Sequence, residues 1–162
     1  LGITFNNIMV SFYAFAMGLL LSYGTWLILL RNGIMLGTFQ YFMYDQGVLG
    51  ESLQGIWLHG TIEISSIVIA GAAGIVMGNS ILFPGTYTRL ASFRQGAWKG
   101  LKMVIGLVPC FILAGFIESV ITRRSATMPP ALNIAIIGGG IAFIIAYFII
   151  YPYHVQRTQR IH

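Results

Sequence analysis

Four long apolar runs divide the chain. The first, about residues 8–30, reads IMVSFYAFAMGLLLSYGTWLILL and stops at Arg31 and Asn32, which suit a membrane interface. The second begins near Ser52 and continues to Leu82, longer than a perpendicular crossing needs, which predicts a tilted helix or an interfacial turn ahead of Trp57. The third covers 97–121, with Lys99 and Lys102 at one end and Arg123 and Arg124 at the other. The fourth covers 131–151, opened by Pro129 and Pro130 and closed by Pro152. A crossing helix takes about 20 apolar residues, which each run supplies. The stretch 33–47, GIMLGTFQYFMYDQG, falls short of that length. Glycines at 33, 37, 47, 50 and 55 predict an interfacial or re-entrant helical hairpin there, packed against protein. The expected fold is an all-α, polytopic transmembrane bundle: one membrane domain over 1–162, with four spanning helices plus this short hairpin.

Composition agrees. Of 162 residues, 57% are hydrophobic and 8% charged, against about a quarter charged in soluble domains; the mean hydropathy is +0.82. The net charge of +5 reads as a topology signal and not as nucleic-acid binding, because the basic residues fall between the runs. If 33–47 does not cross, Arg89, Arg94, Lys99, Lys102, Arg157 and Arg160 share one side, with Arg31, Arg123 and Arg124 opposite; if it crosses, Arg31 joins the larger group. Either way the positive-inside rule places the basic loop and the C-terminus in the cytoplasm. The same loop, FPGTYTRLASFRQGAWKGLK, also suits an amphipathic segment on an anionic leaflet. His154 and His162 read as solvated or headgroup-level tail residues, and Pro109 predicts a kink around Cys110, the single cysteine.

Ionisable residues inside the runs carry the chemistry. His59 and Glu63 are four apart, so a helix puts them on one face about 6 Å apart along its axis, within mutual reach. Glu118 falls at the same membrane depth on the third run. Such groups are costly in lipid and normally face partners; the candidates are one another, Asn6, Asn7, Thr61, Ser65 and Ser66. Three readings follow: a hydrogen-bonded pin between the second and third spanning helices, a proton or ion relay, and, weakest, a metal site of His59, Glu63 and Glu118. The second histidine of an HExxH helix is missing, as are nucleophile-elbow, Walker and GxGxxG patterns. Ala70, Gly74 and Gly78, with Gly71 beside them, form a bare helix face for close packing, either within the chain or between copies.

Taken together, NNIMVSFYAFAMGLLLSYGT, NGIMLG, HGTIEISSIVIAGAAG, FPGTYTR and GLVPCFILAGFIES resemble the stage II sporulation protein M family, over almost the full chain. The resemblance implies the C-terminal membrane domain of a longer protein. It further implies a non-enzymatic membrane scaffold, without cofactor, that recruits peptidoglycan hydrolases or other envelope proteins in the bacterial inner membrane. The alternatives are a permease or channel subunit and, third, a metal-dependent membrane enzyme.

Overall fold

A computed structural model describes residues 2–122, 124 and 128–159. Arg123, Arg160 and His162, used above as topology and tail markers, lie outside them. Among the described residues the chain is helical throughout, without strands. Four stretches of the described residues are long and apolar enough to cross a membrane: Gly2–Leu19, Leu49–Leu82, Arg89–Ile121 and Pro130–Val155. The expected all-α multi-pass bundle is what forms, with different boundaries at the first helix.

The first apolar run is two helices and not one. Helix α1 (Gly2–Ala16) tightens into a 3-10 turn at Met17–Leu19, and the chain reverses at Leu21 and Ser22 before α2 (Tyr23–Asp45). Both reversal residues are left-handed, with φ of 53° and 69°, a conformation costly for residues bearing a Cβ. Hydrogen bonds offset that cost. Ser22 Oγ donates to the Ile75 carbonyl at 3.2 Å and to Asn79 Oδ1 at 3.3 Å, and Thr25 Oγ1 donates to the Ala14 carbonyl at 2.7 Å. The predicted 33–47 hairpin is absent: it is the second half of α2. Arg31 and Asn32 stand within that helix, where Asn32 Nδ2 and Thr38 Oγ1 bond back to the Ile28 and Ile34 carbonyls at 2.9 and 2.8 Å.

Gly47, at φ 74°, ends α2 in a Schellman motif: Gly47 N donates to Tyr44 O and Val48 N to Met43 O. Helix α3 (Leu49–Leu82) follows as one unbroken rod. After the Phe83–Thr88 connection, Thr88 caps α4 (Arg89–Phe116) by accepting from Ala91 N at 3.3 Å. The expected basic loop is therefore the first four turns of α4. This helix contains Pro109 and widens into a π-helical turn at Ile117–Ile121. Helix α5 (Pro130–Ile145) continues through a second π-helical turn, Ala146–Ile150, into α6 (Tyr151–Gln159); that widening suits the missing N–H of Pro152.

Helix α3 is the axis of the bundle. Against α4 it buries Ile67, Ala70, Ala73, Val104, Leu107 and Phe111, and a second cluster joins Ile62 to Cys110 and Ala114. The small face of α3 receives the α1–α2 reversal: a Cβ on Gly71 would meet Leu29, on Gly74 the Ala14 carbonyl and Thr25, and on Gly78 Ser22. This stripe, Ala70 included, is thus occupied within the chain and is not open to a second copy. Helices α1, α3 and α5 run one way, α2 and α4 the other. The α2–α3 turn with Asp45 and Glu51 lies at one end, and the Phe83–Thr88 connection with the bases of α4 at the other.

Candidate functional site

The buried polar residues gather where α1, α3 and the end of α4 meet. Asn7 Nδ2 donates to Glu63 Oε2 at 2.6 Å, joining α1 to α3. Thr4 Oγ1, one turn earlier on α1, donates to Glu118 Oε2 at 3.4 Å. His59 Nδ1 lies 3.1 Å from Thr122 Oγ1, which bonds back to the Ile117 carbonyl at 3.4 Å. Glu63 is 3% exposed and His59 9% exposed, so both are withdrawn from the bundle surface.

This differs from the expected pin in two ways. His59 and Glu63 do not pair with one another, although helical spacing allows it: one turns to α4 and the other to α1. The helix between the two glutamates is α1, made possible by Gly115, where a Cβ would collide with Thr4. Of the supporting residues, Asn7 participates and Asn6 is exposed. Thr61 and Ser66 bond back to their own helix, at the Trp57 and Ile62 carbonyls (2.6 and 2.7 Å), and Ser65 is half-buried. Thr4 and Thr122 were missed. Their signal was spacing, since Thr4 precedes Asn7 by three residues and Thr122 follows Glu118 by four, placing each pair on one helix face.

Two observations bear on chemistry. Among the described residues no group of three or more His, Cys, Asp or Glu side chains is placed to hold a metal ion, so the His59, Glu63 and Glu118 set does not assemble as a ligand sphere. Glu63 Oε1 and Ser11 Oγ are buried without hydrogen-bond partners, although such groups are usually satisfied. The Asn7–Glu63 and Thr4–Glu118 bonds tie α1 to α3 and to the end of α4, which fixes the angle at which α1 enters the bundle.

Against this geometry, the family profile described as Stage II sporulation protein M matches residues 1–123. The chain belongs to the stage II sporulation protein M family. The match takes in α1 to α4 and all six residues of the polar set, so the interhelical bonds lie wholly within the family's region. It stops before α5, which shortens the near-complete coverage expected from the motifs. Neither curated proteins nor solved structures gave a match.

Proposed function

We propose that this family member is a non-enzymatic scaffold of the bacterial inner membrane, with the basic end of the bundle and the C-terminus in the cytoplasm. Its outward face on α2 docks transmembrane helices of partner proteins engaged in envelope or peptidoglycan remodelling. One observation carries the reading. Of 23 residues in α2, only Gly24 and Thr25 are buried, and the helix is not among the four apolar enough to span by composition, yet it runs antiparallel along α3. Leu29 packs on Gly71, so Arg31 lies about 3 Å further along the axis, inside the depth of the bundle. Arg31 is exposed there, and on another side of the same helix the Cβ positions of Gly33 and Gly37 are open. Both polar atoms of Gln40 lack partners.

A basic residue at mid-membrane costs ~2.5–3.5 kcal/mol on insertion scales, so a facing helix with an acidic or carbonyl-bearing side chain is a better neighbour than lipid. Positive-inside bias supports the orientation. The test is isolation of the intact protein from native membranes, comparing wild type with Arg31→Leu and Gly37→Leu. Loss of co-isolated envelope proteins, with folding unchanged, is the expected outcome. An identical partner set would remove α2 from the account.

A relay or permease role rests on a different observation: the unpartnered oxygen of Glu63, together with a groove of about 400 Å³ that reaches His59 and Thr122 from the α2–α3 turn. Glu63→Gln separates the two. The scaffold keeps its partners with the isostere, whereas a relay loses flux in proteoliposomes.

A further inference from the structure

We propose that the groove between the end of α1 and the first turns of α4 is a binding site for an anionic glycerophospholipid. The groove encloses about 1090 Å³. Phe15, Leu19, Met77 and Leu101 supply apolar wall and floor, and Arg94 and Trp98 stand among its lining residues. Its position matches the ligand's two halves. Arg89–Ile121 is 33 residues, about 50 Å long, against roughly 30 Å of hydrocarbon. The first turns of α4 thus leave the acyl region, and the groove runs from headgroup depth at Thr88 to acyl depth at Leu101.

Charge specifies the headgroup. The four acidic residues are Asp45, Glu51, Glu63 and Glu118, and none lies between Ile64 and Ile117. The first four turns of α4 carry Arg89, Arg94, Lys99 and Lys102, of which Arg94 lines the groove and Lys102 holds its Nζ 5.6 Å from the ring centroid of the lining Trp98. Helix α4 has no acidic residue in its first turn and carries Arg89 there instead, so cationic side chains add to the positive end of the helix dipole. An external anion relieves that arrangement. A phosphodiester at Arg94, with an acyl chain laid along Phe15, Leu19 and Leu101, satisfies both halves of the groove, which a free phosphate or an acidic peptide without chains does not.

The test uses the full chain carrying Trp26→Phe and Trp57→Phe, leaving Trp98 as the reporter, in vesicles containing dibrominated phosphatidylglycerol or dibrominated phosphatidylcholine. We expect the anionic lipid to quench Trp98 at about fivefold lower mole fraction, the factor equivalent to about 1 kcal/mol for one arginine near the surface. Arg94→Gln should abolish the preference. Lys99→Gln, whose side chain is exposed outside the groove, should keep it. Equal quenching by both lipids, or an equal loss from Lys99→Gln, would mean general surface attraction and overturn the site. Absence of quenching by either lipid would mean that protein fills the groove, and would overturn it as well.

Discussion

Replacing Gly74 by alanine probes a close backbone approach in the bundle. A Cβ at this position sits 2.6 Å from the Ala14 carbonyl oxygen, 2.6 Å from Thr25 Oγ1 and 3.0 Å from the Phe15 carbonyl. Two of the three atoms are backbone, so the α1–α2 reversal must shift as a unit. Overpacking of this kind costs ~1–3 kcal/mol. Displacing Thr25 also breaks its 2.7 Å bond to Ala14, worth about 1 kcal/mol. Alanine recovers up to ~1 kcal/mol of helix preference, leaving a net loss of about 1–3 kcal/mol. Gly138→Ala is the control, because nothing lies within 4 Å of its Cβ and only the helix gain of up to ~1 kcal/mol remains. The assay is reversible unfolding in mixed micelles, titrated with dodecyl sulfate. Gly74→Ala should unfold at clearly lower denaturant and Gly138→Ala at the same or higher. If both variants track wild type, the α1–α2 reversal is not seated on α3 as described.

Other outcomes follow from the same contacts. Asn7→Ala removes the 2.6 Å bond to Glu63 and leaves a buried carboxyl without any partner, so the same titration should show a loss of ~1–3 kcal/mol; Asn6→Ala, at an exposed position, should show none. Cysteine at Thr86, in the Phe83–Thr88 connection, should label only from the cytoplasmic side, and cysteine at Gln46, in the α2–α3 turn, only from the outside. Cys110, 0% exposed, should resist maleimide in the folded protein and react once it is unfolded.

Where an element was buried in protein and bounded by breakers, the sequence announced it. Helix α3 runs close to its predicted limits because length and apolar content agree and Pro84 follows its end, whereas the fourth run opens at Pro130 as predicted but continues as helix through Pro152 to Gln159. The reversal at Leu21 and Ser22 stayed hidden, since those residues interrupt neither hydropathy nor charge. What allows the turn is a tertiary fit of Gly18 and Ser22 to the small face of α3, with Gly24 closing on Met17, and a one-dimensional pattern does not register such a fit. The reverse error arose at Arg31 and Asn32. Their polarity reads as a helix end, but Asn32 satisfies its amide on the Ile28 carbonyl of the preceding turn and α2 continues. His59, Glu63 and Glu118 were found because charge in an apolar run is conspicuous. Thr4 and Thr122 were not, because hydroxyl groups are inexpensive in helices and their partners, Glu118 and His59, became visible only once the helices were packed together.

The most direct measurement of the account is crosslinking from two open glycines with a photoreactive benzophenone residue, one at Gly37 on α2 and one at Gly138 on α5, in native membranes. Both positions have free space around the Cβ and so accept the probe without disturbing the bundle. A scaffold that presents α2 to partners predicts discrete protein adducts from Gly37, lost with Arg31→Leu, and lipid adducts alone from Gly138. Lipid adducts alone from both positions, or protein adducts from Gly37 that persist with Arg31→Leu, would contradict it.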